Sequence, residues 1–127
     1  MDYDTITNDF ISRFPELALK HEETNNLWKD DIIPPHCFFG YVLNGYVTEL
    51  LRENSNKKQL EKIFRFYEEM ARCEDVQVRN LLQVTLLEYL WDKETIYKNA
   101  VEYMQSQTKA INNEISSYLE APFKKQD

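Results

Sequence analysis

Apolar positions recur along this chain in long stretches at helical spacing. In the first segment, Ile6, Phe10 and Phe14 stand at i, i+4, i+8, which is one helix face. Asp4 or Thr5 is placed to cap it, and Pro15 ends it and opens a weaker segment over Leu17, Ala18, His21, Leu27 and Trp28. The pair Pro34-Pro35 resists helix before it and suits a helix start after it, which predicts a helix from about Pro35 to Glu53. Phe39, Val42, Leu43, Tyr46, Val47 and Leu50 form its apolar face, with Tyr41, Asn44, Thr48 and Arg52 opposite. Gly40 and Gly45 both fall inside it, each unfavourable by about 1 kcal/mol relative to alanine. Close approach of a neighbouring helix, chiefly at Gly40, or a local kink would account for them.

The polar link Asn54-Ser55-Asn56-Lys57-Lys58 leads into the strongest pattern, a helical hairpin from Leu60 to Trp91. Leu60, Ile63, Phe64, Tyr67, Met70 and Ala71 make the inner face of its first helix, and Glu61 and Arg65 are spaced to pair outside. The turn Cys73-Glu74-Asp75 follows, with Asp75 as the cap of the second helix. That helix, about residues 76–91, carries Val78, Leu81, Leu82, Thr85 and Tyr89 on one side and Val84, Leu87 and Trp91 on another. A helix apolar on two sides must be covered on two sides, so it is expected at the centre of the fold. Asp92 is the expected next cap, before Ile96, Tyr97, Ala100, Val101 and Met104. The last helix carries Ala110, Ile111, Ile115, Tyr118 and Leu119 and ends before Pro122, with residues 124–127 as a mobile tail. The expected fold is all-α: one domain over residues 1–127, with about six or seven antiparallel helices stacked as hairpins.

Composition supports that reading. Of 127 residues only two are glycine, which leaves little material for hairpin turns between strands. The net charge of −7 is uneven: residues 1–35 hold eight acids against three Lys and Arg. Such acidity repels phosphate backbones and attracts basic protein partners, although a solvated surface that aids solubility is the plainer reading. No apolar leader follows Met1 and no run reaches the roughly 18 apolar residues of a membrane span, so a cytoplasmic protein with reduced Cys37 and Cys73 is expected.

Chemistry-bearing residues are sparse. His36-Cys37 sits at a predicted helix start, where a thiol is acidified, yet neighbours on a helix do not face each other. His21 and His36 lack metal-ligand spacing, so neither a metal nor a cofactor is expected. Glu68, Glu69, Glu74, Asp75 and Glu88 are the best carboxylate cluster. They could line a pocket with His36 in a small helical enzyme or ligand-binding domain, or serve as helix surface, cap and ion-pair partners. Trp28 and Tyr41 are candidate interface anchors or edge-of-core residues.

Two stretches carry a family resemblance: His36-Cys37-Phe38-Phe39-Gly40-Tyr41-Val42 with Val47-Thr48-Glu49-Leu50-Leu51, and Ile63 to Ala71 with Cys73-Glu74-Asp75 and Val78 to Leu90. Over residues 34–91 the chain resembles small, acidic, all-helical bacterial immunity proteins of polymorphic toxin and contact-dependent inhibition systems. The resemblance implies a protein, not an enzyme, that binds and neutralises a cognate toxin, often a basic nuclease acting on RNA or DNA. Such a protein touches neither nucleic acid nor membrane directly. Trp28, Asp30, Asp31, Tyr41, Glu68, Glu69, Glu74 and Asp75 are then the expected partner-binding residues.

Overall fold

A computed structural model describes residues 1–19, 22–23 and 33–120. Among these there are no strands, and six helices form a single domain. They are α1 (Ile6–Arg13), α2 (residues 35–53), α3 (Lys57–Ala71), α4 (residues 76–92), α5 (Glu94–Tyr103) and α6 (Ser106–Ser116). A single 3₁₀ turn, Pro15–Leu17, follows α1 and has its proline at the first position, where a missing N–H costs nothing.

The core begins with aromatics. Phe10 stacks on Phe14 at 4.4 Å and meets Phe39 and Phe66 edge-on at 5.5 and 5.2 Å, which ties α1 to α2 and α3. Leu60, Ile63, Phe64, Tyr67, Met70 and Ala71 are all buried, as their spacing predicts. Removing each of the larger side chains from water is worth about 1.5–3 kcal/mol. Asn54, the C-cap of α2, takes a left-handed conformation at φ 48°, and Asn56 then caps α3 by accepting from the N–H of Gln59. Three residues of link suffice because these asparagines turn and restart the backbone within one short segment.

Two helices depart from α geometry where they meet. Phe39–Leu43 in α2 and Leu81–Leu87 in α4 form π turns, and α4 closes in a 3₁₀ stretch over Glu88–Asp92. The π turn rotates the buried stripe of α2. Phe39, Leu43, Val47 and Leu51 go inward, Leu50 is only half-buried, and Asn44 is buried against the expectation of a polar face. Its side-chain amide donates to the carbonyl of Thr85 at 2.8 Å, so it enters the interior with a partner. A methyl at Gly40 would rest 3.5 Å from Thr85 Cγ2, ordinary contact, and one at Gly45 would meet nothing. Neither glycine is therefore demanded by intramolecular packing; Gly40 lies within the irregular turn.

Helix α4 packs against α2, α3, α5 and α6 and is the central helix, but it is not apolar on all sides in the fold. Leu81, Leu82, Leu86, Leu87, Leu90 and Trp91 are buried, whereas Val84 is 48% and Tyr89 45% exposed. Asp92 completes α4 and does not cap α5, which starts at Glu94 with no side-chain cap. Helix α6 differs most from expectation. Its buried residues are Thr108, Asn112 and Ile115, while Ala110 and Tyr118 lie outside. The end of the chain, including Pro122 and the predicted tail, lies outside the described residues.

Candidate functional site

The expected acidic rim is largely engaged by the fold itself. Glu68 is 4% exposed and therefore is not the surface residue its sequence position implied. Its carboxylate accepts the backbone N–H groups of Gln107 and Thr108 at 3.1 and 2.9 Å, the Thr108 hydroxyl at 2.9 Å and Arg72 Nε at 2.9 Å. Burial pushes this carboxyl up, but the four hydrogen bonds together outweigh it, and the net effect holds it below its ordinary range. Glu68 thus caps α6 from another helix and supplies the negative charge that a helix N-terminus favours.

Asp75 performs its predicted capping role, accepting from the N–H of Gln77 at 2.9 Å, and also accepts the N–H of Tyr3 at 2.9 Å. These bonds, that of Tyr3 foremost, hold its carboxyl below the usual range. Glu69 pairs with Arg13 on the outside of α1. Of the rim residues, Glu69 stays exposed beside its partner and Glu74 is exposed at the turn. Trp28, Asp30 and Asp31 lie outside the described residues. Tyr41 is 77% exposed on α2, on the face its pattern predicts.

The groups considered for a pocket do not converge. His36 Nδ1 meets the Tyr3 hydroxyl at 2.7 Å at the start of α2, and burial lowers its pKa. Glu68 holds α6, and Glu69 lies beside α1. Glu88 accepts from the Tyr118 hydroxyl at 2.9 Å, which in turn accepts from Gln83, so Glu88 pairs with neither Arg72 nor Arg79. Arg72 goes to Glu68 and Arg79 to the Cys73 carbonyl. Cys37 and Cys73 are both free thiols and half-buried. No group of three or more His, Cys, Asp or Glu among the described residues is placed to hold a metal.

A surface that pattern reading did not single out lies beside Glu88. Val84, Thr85, Glu88, Tyr89, Trp91, Asp92, Leu119 and Glu120 line a groove of about 300 Å³ along the outer side of α4. It combines an exposed apolar and aromatic floor with three carboxylates. Sequence reasoning assigned Val84 and Tyr89 to the core because their spacing fits a buried helix. The π turn moves them outward, and no local signal marks that turn.

Among the described residues, no helix is long and apolar enough to cross a membrane. No curated protein and no solved structure matches the chain. A family model does match, over residues 7–120, which is nearly the whole of the helical domain, and the chain accordingly belongs to the family described as Domain of unknown function (DUF7674).

Proposed function

We propose that this chain is an immunity protein: a cytoplasmic, non-catalytic binding protein that neutralises a basic protein toxin, such as an RNase or DNase of a polymorphic toxin or contact-dependent inhibition system. The observation that carries the reading is the groove beside Glu88, in which Val84 and Tyr89 stand exposed among Glu88, Asp92 and Glu120, on a chain of net charge −7. Exposed tyrosine beside carboxylates suits a cationic protein surface: the ring supplies rigid contact area and the carboxylates accept from Arg and Lys. Tyr41 and Glu74 are further exposed candidates for the same partner. Engagement of Glu68, Glu69 and Asp75 within the fold shifts the proposed contact away from the hairpin turn and toward the outer side of α4.

A neighbouring toxin reading frame would support the proposal, and co-expression with that toxin tests it. A stable complex and protection of the host are expected. Reversing the groove charges with Glu88→Lys and Asp92→Lys is expected to slow association more than it weakens the fold, with strong salt dependence. Neither complex nor protection with the wild-type chain would sink the reading.

A further inference from the structure

This acidic protein carries one groove of the opposite sign. Arg13, Phe14, Lys62, Arg65, Phe66 and Glu69 line a concavity of about 320 Å³ between the end of α1 and the middle of α3. Three cations share it with a single carboxylate, which leaves a surplus of two positive charges. The one carboxylate, Glu69, is taken by Arg13.

Two of the cations are already held in place. The Arg13 guanidinium lies 5.1 Å from the centroid of the Phe66 ring, and Lys62 Nζ lies 4.4 Å from that of Phe14. Lys62 also donates to the Arg13 carbonyl, at the end of α1, where cations are favoured. Those contacts fasten α1 to α3 and explain Arg13 and Lys62 as parts of the fold. They do not explain Arg65. It is exposed, and it forms no ion pair among the described residues, not even the i, i+4 pair with Glu61 that the sequence offers. A third cation beside two fixed ones is repelled by them, and the one carboxylate of the groove, Glu69, is already paired with Arg13 and offsets the charge only in part.

We infer that this groove binds a phosphate group. A phosphate dianion matches the surplus charge, whereas a carboxylate would neutralise half of it. The planar guanidinium fork of Arg65 suits two oxygens of one tetrahedral anion, and Lys62 supplies a point charge beside it. Because Arg13 and Lys62 are fixed before binding, less side-chain freedom is lost on association. Phe14 and Phe66 are buried under the cations and offer no face for stacking, so recognition is of the oxyanion itself. None of the lining residues belongs to the acidic groove, and the inference stands apart from the toxin-binding reading.

Titration followed by amide and arginine Nε chemical shifts, at constant ionic strength, tests it. The probes are inorganic phosphate, adenosine monophosphate and acetate, on the wild-type chain and on Arg65→Gln. Saturable shifts at Arg13, Lys62 and Arg65 with phosphate are expected, and acetate is expected to bind far more weakly. Arg65→Gln should weaken phosphate binding by about tenfold or more with no change in melting temperature, since Arg65 holds no ion-pair partner among the described residues. Tighter binding of the monophosphate than of phosphate would assign the site to a phosphorylated small molecule; equal binding would assign it to free phosphate. Shifts that do not saturate, acetate binding as tight as phosphate, or unchanged affinity in Arg65→Gln would each overturn the inference.

Discussion

The buried Glu68 carboxylate accepts both the backbone N–H and the hydroxyl of Thr108, 40 residues away in sequence, each at 2.9 Å. A single acidic side chain from α3 thereby completes the first turn of α6, whose own N-cap residue, Gln105, provides no side-chain bond. Replacing Glu68 by alanine leaves those donors buried without an acceptor. The expected loss is about 2–4 kcal/mol of unfolding free energy, read from urea denaturation, with early loss of hydrogen-exchange protection in α6. Thr108→Val, which removes only the hydroxyl, is expected to lose about 1 kcal/mol.

Acid should loosen the fold in two stages. Burial holds the His36 imidazole below its ordinary value of 6.5, so the folded state resists protonation more than the unfolded chain does. Its contribution is fully present above about pH 6.5 and fades as pH falls through its lower folded value. Hydrogen bonds hold Glu68 and Asp75 below their ordinary values of 4.5 and 3.8, so their contributions are present above those values and are lost as pH falls through the folded ones. The urea midpoint is expected to decline first just below pH 6.5 and again below about pH 4.5. His36→Asn should flatten the first decline and Glu68→Gln the second.

The two glycines of α2 should respond differently to alanine. At Gly45 a methyl meets nothing, so Gly45→Ala is expected to stabilise the protein by about 0.5–1 kcal/mol through helix propensity and reduced freedom of the unfolded chain. At Gly40 the methyl would enter contact with Thr85 inside a π turn, and a smaller change is expected. A thermal melt of each variant distinguishes them.

Asn112 joins three elements. Trp91 Nε1 donates to its carbonyl oxygen at 2.9 Å, and its amide donates to the Tyr97 hydroxyl at 3.0 Å. Asn112→Leu removes both bonds, that of the buried indole N–H among them, with an expected loss of about 2 kcal/mol and a change in the emission of the buried Trp91. Asn44→Ala, which removes its bond to the Thr85 carbonyl, is expected to lose about 1 kcal/mol.

Much of the fold is legible in the chain because its signals are local. Spacing alone places α2 from Pro35 to Glu53, orients the inner face of α3 and makes Asp75 the cap of α4. The candidate sites were far less legible. Glu68 and Glu69 are adjacent acids that look alike in sequence, yet one is buried under α6 and the other pairs with Arg13 at the surface. Only the packing of helices distant in sequence separates them. The acidic groove escaped notice because Val84 and Tyr89 carry the spacing of core residues.

Local chemistry in the sequence therefore determined that this protein is helical, roughly where its six helices lie, which residues form most of the apolar centre, and that its net charge is negative. Tertiary structure decided which polar residues go inside. Asn44, Glu68, Thr108 and Asn112 can be buried because each meets a partner on another helix, and no helix's own pattern contains that partner. The π turns belong to the same class: they form where α2 and α4 meet, and the rotation they impose turns Val84 and Tyr89 outward and Asn44 inward.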